Sequence, residues 1–529
     1  MRYFNTAGPI NPEKHYCLSP LNRINLEEIL YLIEQEKYFV LHAPRQTGKT
    51  SSLLALMEYL NKENKFKCLY INVEGAQAAR ENIQQGMKAI IQELALRAKI
   101  YLNDNFIETI LPKMFDETAY ISVLNQALTE WCPTLSVPLV LLIDEIDALV
   151  GDTLISVLRQ IRSGYDRRPV NFPQSIILCG VRDVRDYRIH SDKEKAIITG
   201  GSAFNIKAKS LRLGNFVHSE VDALLEEHTK ETGQKFDFKA KDLIWEYTQG
   251  QPWLVNALAY EVSFDMKGGR DRTKSITEAM VIQAKENLIL RRETHLDQLA
   301  DKLREERVQN VISPMMEGKY IEKINPDDIQ YVIDLGLIKK DNSELKISNP
   351  IYREVIPREL TIITQYNLAS KIKSSWYISP DGSLDMLKLL KAFQEFFREH
   401  SEHWVERFEY KEAGPQLLIQ AFLQRVVNSG GRIEREYGLG RGRTDLMVIW
   451  PYPKGIQKEV IELKILYKSL EKTISAGLEQ TYDYMDRVGR DEGHLVIFDR
   501  SVSKTWEEKI FCRKDIYKNK NKTITVWGM

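Results

Sequence analysis

Short, continuously apolar runs alternate with amphipathic segments through the first third of the chain. The apolar runs lie at 38–42, 67–73, 138–143 and 175–181. The segments between them place apolar residues three and four positions apart, which is the period of an α-helix. Strands that are apolar on both faces and alternate with helices are typical of a parallel sheet covered on both sides. This pattern predicts an α/β domain over residues 1–214.

The pattern changes after residue 214. Helical spacing dominates over 219–232, 240–247 and 252–266, which predicts a helical lid over 215–295. A helix at 327–334 is followed by an apparent hairpin at 336–348 with turn residues at 341–343, which predicts a small winged-helix-like domain over 300–362.

A turn-rich break with the sequence SPDGS lies at 379–383, and we predict a helical linker over 363–400. The remaining segment, 401–529, is predicted to form a separate α/β domain. Its helices are predicted at 415–428 and 470–488, and its strands at 432–437, 445–450, 459–463 and 494–498. The short basic run at 518–522 is interpreted as a solvated turn.

Composition narrows the classes of protein. The length of 529 residues suggests roughly three or four domains. Lys and Arg together number 74, as do Asp and Glu, so no overall charge draws the chain to nucleic acid or membrane. The cysteines are scattered without a CxxC pair, and neither a signal peptide nor an apolar run of membrane-spanning length is evident. We therefore expect a cytoplasmic protein without a membrane partner.

A phosphate-binding loop follows the first apolar run. The sequence APRQTGKT joins a predicted strand to a predicted helix, and in that context its backbone N–H groups can wrap the phosphates of ATP. Lys49 would reach the β- and γ-phosphates, and the Thr50 hydroxyl would bind Mg²⁺. One departure from the usual motif is Ala43 in place of its first Gly. The predicted ATP-binding residues of this loop are Pro44, Arg45, Gln46, Thr47, Gly48, Lys49 and Thr50.

The apolar run at 138–143 ends in two acidic residues. Asp144 is placed to hold Mg²⁺, and Glu145 stands where a general base could polarise the attacking water. The alternative is a buried strand that ends in an acidic helix cap. This alternative is less favoured because Gly48-Lys49-Thr50 lies in the same domain. Arg182 ends the next strand and is predicted to sense the γ-phosphate, with a surface ion pair to Asp183 or Asp186 as the alternative.

These motifs, together with the GQPW turn that begins at Gly250, resemble the ATPase domain of AAA+ and STAND-related proteins over about residues 15–290. Such ATPases commonly carry a winged-helix domain next. The resemblance also implies a homo-oligomer, in which an Arg of one subunit completes the site of its neighbour. The candidates in this sequence are Arg159, Arg162, Arg167 and Arg168.

A second cluster of chemical groups lies in the C-terminal segment. Asp445 begins one predicted strand, and Glu462 and Lys464 lie on the next. Residues two apart in a strand face the same side, so Glu462 and Lys464 project together. Two carboxylates can hold one or two Mg²⁺ ions, and an amine can orient water, which suits phosphodiester hydrolysis. The alternative is an ordinary sheet with a surface ion pair between Asp445 and Lys464.

The ordered set GRxD, apolar-ExK and a QxxxY helix resembles the PD-(D/E)XK nuclease superfamily and its RecB-like branch. By that resemblance Asp445, Glu462 and Lys464 are catalytic, and Gln480 and Tyr484 contact the metal site or the DNA backbone. The family often has a carboxylate on the first helix, which is missing here. The substitutes are Gln416 or Gln424 on that helix, or Glu434 or Glu436 on the next strand.

Three functions follow from this pattern. The first is an ATP-hydrolysing regulator coupled to a nuclease that uses Mg²⁺ or Mn²⁺ and cuts DNA, with RNA left open, in prokaryotic defence or repair. The second is a nucleotide-dependent signalling or DNA-binding switch with an inactive nuclease domain. A helicase or translocase ranks third, because the sequence shows neither an aromatic pore loop nor a second nucleotide-binding core.

Overall fold

A computed structural model describes the chain except at 184–187, 192–195, 200–203, 292–293, 317–323, 342–343, 361–376, 408–417, 421, 425–430, 438–443, 467–468, 500, 502–503 and 517–521. The chain divides into two compact units. The first consists of residues 1–291 and 334–336, and the second consists of residues 292–333 and 337–529. In the described part of the chain, no helix combines the length and apolar character needed to cross a membrane.

A five-stranded sheet forms the centre of the first unit. Its order is β4-β5-β6-β3-β9, and every neighbouring pair is parallel. The four strands that the apolar runs predicted are confirmed, and the edge strand β9 was not predicted. The strands of this unit are β1 Tyr3–Phe4, β2 His15–Tyr16, β3 Tyr38–His42, β4 Lys67–Asn72, β5 Leu139–Asp144, β6 Ser175–Gly180, β7 Arg188–Ser191, β8 Ala196–Thr199 and β9 Lys207–Arg212.

Helices cover both faces of this sheet because the strands are apolar on both sides. Alternate strand residues such as Phe39 and Leu142 pack against α1 and α2. Their neighbours, such as Val40 and Leu141, pack against α3, α5 and α6. The helices of this layer are α1 Leu26–Glu34, α2 Lys49–Glu63, α3 Ile83–Leu102, α4 Phe106–Glu117, α5 Val123–Trp131 and α6 Gly151–Ser163.

The predicted lid is helical. Its helices are α7 His218–Thr232, α8 Phe238–Thr248, α9 Pro252–Tyr260 and α10 Glu278–Arg291, with a π-helical turn over Glu261–Asp265. Gly250 lies between α8 and α9 with φ +71°, and a Cβ atom there would lie 2.0 Å from the backbone oxygen of Phe216. Only glycine allows the chain to pass so close to that strand-to-lid connection.

The second unit begins with short helices and a hairpin. The elements are α11 Thr294–Lys302, α12 Glu306–Met316, α13 Pro326–Asp334, β10 Ile338–Asp341, β11 Glu344–Ile347 and α14 Pro350–Leu360. Strands β10 and β11 are antiparallel, as the predicted hairpin requires, and two of its turn residues, 342 and 343, lie outside the described residues. The winged-helix-like assignment of 300–362 stays a prediction.

A six-stranded mixed sheet forms the C-terminal half of the second unit. Its order is β12-β13-β14-β15-β17-β16, and only the pairs β14/β15 and β15/β17 are parallel. The strands β16 and β17 were not predicted. The strands are β12 Arg432–Tyr437, β13 Thr444–Tyr452, β14 Gly455–Ile465, β15 Glu492–Phe498, β16 Phe511–Ile516 and β17 Thr523–Gly528, and the helices are α15 Met386–Arg407, α16 Leu470–Arg487 and α17 Trp506–Lys509.

Helices pack on both faces of this sheet. Helix α16 contributes Ile474 and Met485 to one face, where they meet Val460 of β14. Helix α15 contributes Phe393 and Phe397 to the other face. Part of the segment predicted as a linker, 363–400, therefore belongs to the core of this domain. The predicted helix at 415–428 falls largely outside the described residues, as does the basic run at 518–522 apart from Lys522.

Candidate functional site

The phosphate-binding loop connects β3 to the first turn of α2. Gly48 stands before the helix with φ +94°, and a Cβ atom at this position would lie 2.8 Å from Nη1 of Arg23. Gln46 also has positive φ, at 56°. Glycine is the residue that adopts this backbone conformation at least cost, and its missing side chain leaves room for the Arg23 guanidinium. The loop can therefore turn sharply into the helix N-terminus, where backbone N–H groups favour an anion.

Lys49 is held at the loop itself. Its side chain is buried, and its Nζ atom donates to the backbone oxygens of Ala43 at 3.0 Å and Pro44 at 3.1 Å. Thr47 Oγ1 donates to the same Pro44 oxygen at 2.7 Å, and Arg45 is exposed. The ammonium group is thus fixed beside the loop that the sequence assigned to phosphate binding. A bound phosphate would offer it a charged acceptor in place of neutral carbonyls.

The loop meets the second acidic motif at Thr50. The Thr50 hydroxyl donates to Oδ2 of Asp144 at 2.7 Å, and the Tyr70 hydroxyl donates to the same oxygen at 3.0 Å. Asp144 is fully buried, and its Oδ1 accepts from the backbone N–H of Glu145 at 3.0 Å. A hydroxyl and a carboxylate side by side are oxygen ligands of the kind that Mg²⁺ prefers. These residues therefore fit the magnesium ion that accompanies ATP.

Glu145 has an unusual backbone for its residue type. Its φ is 56°, in the left-handed region that residues other than glycine seldom adopt, and it is partly buried. Burial raises the pKa of its carboxyl, and the nearby negative charge of Asp147 raises it further, whereas Lys49 acts in the opposite direction. Backbone strain and a raised pKa at one residue are typical of functional sites.

Arg182 is buried rather than exposed at the surface. Its Nε lies 3.4 Å from Oδ2 of Asp334, which clusters with the first unit. The Asp183 carboxylate accepts a hydrogen bond from Nζ of Lys207 at 2.5 Å. Asp186 lies outside the described residues. The sequence left open a surface ion pair of Arg182, whereas in the structure Arg182 pairs with Asp334 in a buried position. The contact of Arg182 with the γ-phosphate stays a prediction.

A cavity of about 120 Å³ adjoins the phosphate-binding loop. Three segments of the first unit line it: the N-terminal segment 5–23, the loop with the start of α2, and the lid. The lining includes Tyr16, Arg23, Gln46, Phe216, Trp253 and Asn256. The GQPW turn contributes to this wall, because Trp253 lines the cavity and its indole Nε1 donates to the backbone oxygen of Thr6 at 2.8 Å. The cavity is thus continuous with the site that would hold the phosphates.

Sequence reasoning missed Arg23. Its guanidinium lies over the Phe216 ring at 4.6 Å from the centroid. It also donates to the backbone oxygen of Thr47 and, at 2.6 Å, to that of Gly214. Burial lowers the pKa of Arg23 to about 10, which leaves it positive near neutral pH. Arg23 therefore joins the phosphate-binding loop to the start of the lid, although no motif in the sequence marked it.

The candidates for an arginine that completes a neighbouring site divide into two groups. Arg167 donates to the Thr129 hydroxyl and the Asn125 amide oxygen, and Arg168 lies 3.4 Å above the Tyr165 ring. These contacts hold Arg167 and Arg168 within the unit. Arg159 and Arg162 lie at exposed positions on α6.

The C-terminal cluster lies on the sheet face that α16 covers. Glu462 is buried, and its Oε1 lies 2.5 Å from Nζ of Lys464. Asp445 is the direct register partner of Glu462 across β13 and β14, and the next strand places Glu436 opposite Asp445. Three acidic positions therefore form one row across β12, β13 and β14. The strand pairing brings Asp445 to Glu462, as the sequence pattern predicted.

Helix α16 carries the two other predicted residues of this cluster. The side-chain oxygen Oε1 of Gln480 is buried, and no hydrogen-bond partner for it is found in the described part of the chain. Tyr484 follows one turn later and is partly buried against the sheet. Gln416 lies outside the described residues, and Gln424 is buried on a short helical stretch whose neighbours pack against the opposite sheet face.

Comparison with known proteins extends over the first two thirds of the chain. Residues 19–357 match the AAA-like domain family. No curated protein matches the chain. Solved structures that match part of this chain include a Walker-type ATPase of Pyrococcus abyssi, at 16% identity over 67% of this chain and 99% of that one with a TM-score of 0.46. They also include Cdc6p of Pyrobaculum aerophilum, at 15% identity over 68% and 97% with a TM-score of 0.35, and the Holliday junction branch migration motor RuvB of Thermotoga maritima, at 13% over 62% and 94% with a TM-score of 0.31.

Proposed function

The chain belongs to the AAA-like domain family, and from that premise we propose an ATP-hydrolysing regulator coupled to a metal-dependent nuclease. The observation that carries the first half is the hydrogen bond between Thr50 and Asp144 at 2.7 Å, which brings together the hydroxyl and the carboxylate that we propose as ligands of one magnesium ion. The observation that supports the second half is the row of acidic positions at Asp445 and Glu462, with Lys464 beside it.

The phosphate-binding loop holds ATP by charge and by backbone N–H groups. Lys49 would exchange its carbonyl partners for the β- and γ-phosphates, and Thr50 with Asp144 would hold Mg²⁺, which would supply positive charge beside the phosphates. Arg182, at the end of β6, is proposed to contact the γ-phosphate. Binding thus uses residues from three neighbouring parallel strands, whose carboxyl ends meet at one edge of the sheet.

Glu145 is the proposed general base for hydrolysis. It follows the strand that positions Asp144, and its raised pKa makes the carboxylate a stronger base than an ordinary glutamate. The attacking water would give a proton to this carboxylate as it approaches the γ-phosphorus. The backbone N–H of Glu145 donates to Oδ1 of Asp144. This hydrogen bond would hold the proposed base beside the proposed metal ligand.

The C-terminal site is proposed to cut phosphodiester bonds. Asp445 and Glu462 would hold the metal ion, Mg²⁺ or Mn²⁺, which supplies Lewis-acid stabilisation of charge at phosphorus. Lys464 would orient the attacking water, while Gln480 and Tyr484 would contact the metal site or the nucleic-acid backbone. The resemblance to PD-(D/E)XK nucleases supports these roles, as does the burial of the Glu462–Lys464 pair, which strengthens electrostatic interactions.

The proposed nucleic-acid substrate is DNA, with RNA as a second substrate to be tested. We also propose that the chain acts as a homo-oligomer in the cytoplasm of a prokaryote, in defence against foreign nucleic acid or in repair. Exposed Arg159 or Arg162 would complete the ATP site of a neighbouring subunit. This arrangement would make nuclease activity depend on nucleotide state and assembly together.

The test measures ATP hydrolysis and plasmid cleavage by the same full-length preparation with Mg²⁺. We expect wild type to do both, Lys49→Ala to lose hydrolysis, and Glu462→Ala to lose cleavage but retain hydrolysis. Lys472→Ala, at an exposed position of α16, serves as a control that keeps both activities.

The outcomes separate the two halves of the proposal. Equal cleavage by wild type and Glu462→Ala would reject the assigned nuclease site. If wild type hydrolyses ATP but cuts neither DNA nor RNA, the switch with an inactive nuclease domain replaces the nuclease. ATP hydrolysis that survives Lys49→Ala would reject the assigned ATP site.

A further inference from the structure

The Asp144 carboxylate accepts hydrogen bonds on both of its oxygens. Oδ1 accepts from the backbone N–H of Glu145 at 3.0 Å, and Oδ2 accepts from the Thr50 hydroxyl at 2.7 Å and from the Tyr70 hydroxyl at 3.0 Å. The Cys179 thiol also lies beside this carboxylate, but a thiol is only a weak donor. The carboxylate of an aspartate rotates easily about its last torsion angle, so the donors around it decide how it is oriented.

Tyr70 differs from Thr50 in the task that each would have when ATP binds. Thr50 lies in the first turn of α2 and is itself a proposed ligand, so its hydroxyl oxygen would face the metal ion. Tyr70 lies inside β4, two residues before the end of the strand, and has no such proposed task. Its hydroxyl can therefore keep the bond to Oδ2 of Asp144 both before and after ATP binds.

The register of the sheet places the Tyr70 side chain beside Asp144. Asn72 is the register partner of Asp144 across β4 and β5, and Tyr70 lies two positions before Asn72 on the same strand. Residues two apart in a strand face the same side, so Tyr70 reaches Asp144 diagonally on the sheet face that α2 covers. The contact thus follows from strand pairing and does not depend on the conformation of a loop.

The Tyr70 ring is itself fixed by packing. Tyr70 is 3% exposed and belongs to the apolar cluster under α2, together with Leu56 and Leu142. The Arg97 guanidinium lies 5.9 Å from the centroid of the ring, and Nε of Arg97 donates to Glu93 at 2.7 Å. A closely packed interior leaves such a ring little freedom to move. The Tyr70 hydroxyl is therefore a donor with a fixed position.

We propose that Tyr70 is a positioning residue of the ATP site, which holds Oδ2 of Asp144 and so orients the carboxylate for Mg²⁺. This role rests on the proposed binding of ATP with Mg²⁺, and no motif in the sequence marks Tyr70. Groups that hydrogen-bond a metal ligand orient it, and their removal typically costs about 10–100-fold in metal affinity or activity. Tyr70 acts through Asp144, so it is not a catalytic residue.

The experiment compares Tyr70→Phe with wild type in the full-length protein, because this substitution keeps the buried ring and removes only the hydroxyl. Calorimetry measures the affinity for ATP at increasing free Mg²⁺, and a titration in excess chelator measures it without metal. We expect the Mg²⁺ concentration at half of the full gain in affinity to rise about tenfold or more, while the metal-free affinity stays within about twofold. Saturating Mg²⁺ should restore ATP hydrolysis, because the Asp144 carboxylate is still present.

Tyr38→Phe is the matched control. Tyr38 is fully buried at the start of β3 in the same sheet, and its hydroxyl donates to the backbone oxygen of Pro173 at 2.9 Å. Each variant loses one buried hydrogen bond, so denaturant unfolding should show similar losses of stability in both. Only Tyr70→Phe should change the Mg²⁺ requirement, which a purely structural role would leave unchanged.

The outcomes separate this role from the proposed function. A wild-type Mg²⁺ requirement in Tyr70→Phe, or an equal rise in Tyr38→Phe, would overturn the role of Tyr70 and leave the proposed ATP site in place. If wild type does not bind ATP, or binds it equally with and without Mg²⁺, the proposed metal site fails and the role of Tyr70 fails with it.

Discussion

The Thr50 hydroxyl donates to Oδ2 of Asp144 at 2.7 Å, and so joins two motifs that lie 94 positions apart in the sequence. Strand β5 brings Asp144 to the sheet face that α2 covers, and α2 presents Thr50 from its first turn. Tyr70, from the neighbouring strand β4, donates to the same oxygen. A buried carboxylate in this position is held by three elements before any ligand binds.

Substitution of Thr50 tests this relationship. Thr50→Val keeps the shape of the side chain but removes the donor, so we expect a loss of stability of about 1.5–3 kcal/mol, typical of a hydrogen bond to a charged group. Mg²⁺-dependent ATP affinity should fall as well, and Thr50→Ser should retain both properties. Denaturant unfolding and ATP titration with and without Mg²⁺ measure them. Wild-type Mg²⁺ dependence in Thr50→Val would show that Thr50 is not a ligand.

Substitution of Glu145 separates binding from hydrolysis. Glu145→Gln should lower the rate of ATP hydrolysis by about 10²–10⁴-fold, the usual contribution of a general base, while ATP still binds. A variant that hydrolyses ATP at the wild-type rate would exclude Glu145 as the base. Glu145→Asp, which keeps the charge but shortens the side chain, should retain part of the activity and so serves as the control.

The raised pKa of Glu145 also predicts a pH dependence of stability. The folded state holds the proton of this carboxyl more tightly than the unfolded state does. Ionisation of Glu145 therefore lowers the stability of the folded state. This cost is absent below the ordinary pKa of glutamate and grows as pH rises through the raised pKa. Glu145→Gln should raise the melting temperature at mildly alkaline pH and change it little in acid. A larger gain in acid would contradict the sign of the shift.

Arg23 is predicted to couple the loop to the lid. Arg23→Ala removes the hydrogen bonds to Thr47 and Gly214, so we expect a loss of about 1.5–3 kcal/mol in stability and weaker ATP binding. Arg23→Lys should restore little, because one ammonium cannot reach both carbonyls and lie flat on the Phe216 ring. Asn22→Ala, at the exposed neighbouring position, is the control for denaturant unfolding and ATP titration. Full rescue by lysine would mean that only the charge matters.

The strand register predicts a third acidic residue of the nuclease site. Glu436 is the register partner of Asp445, whereas Glu434, on the same strand, pairs with Met447. Glu436→Gln should lower plasmid cleavage by about tenfold or more if its position completes the carboxylate row, because metal sites lose 10–100-fold when a supporting group is removed. Glu434→Gln should cleave as wild type does. An equal loss of cleavage in both variants would show that the effect comes from the negative charge of β12 and not from the position of Glu436.

Several features could be read from the sequence because they are local. The four apolar runs predicted β3, β4, β5 and β6, since a strand buried on both faces needs continuous apolar residues. The phosphate-binding loop was equally readable, because its glycine and its lysine must occupy fixed places in one short turn. The sequence also predicted that Asp445 and Glu462 lie on adjacent strands, and in the structure they are register partners across β13 and β14.

Other features were not predictable because distant parts of the chain create them. Helix α15 looked like a linker, since its apolar residues have no visible partner until Phe393 meets the C-terminal sheet. Strand β16 carries Arg513, Lys514 and Asp515, which obscure an apolar pattern, and the register of β17 with β15 and of β16 with β17 depends on the assembled sheet. The partner of Arg182 is Asp334, which the sequence places 152 positions away.

The sequence by itself therefore determined which chemistry is present: a phosphate-binding loop, an acidic strand end and a set of residues suited to a metal ion. These are properties of short segments, whose backbone and side chains act within one turn or one strand. Only the tertiary structure decided that Arg23 bridges Thr47 and Gly214. Such relations arise from the packing of segments that are remote along the chain, and packing is a property of the whole fold.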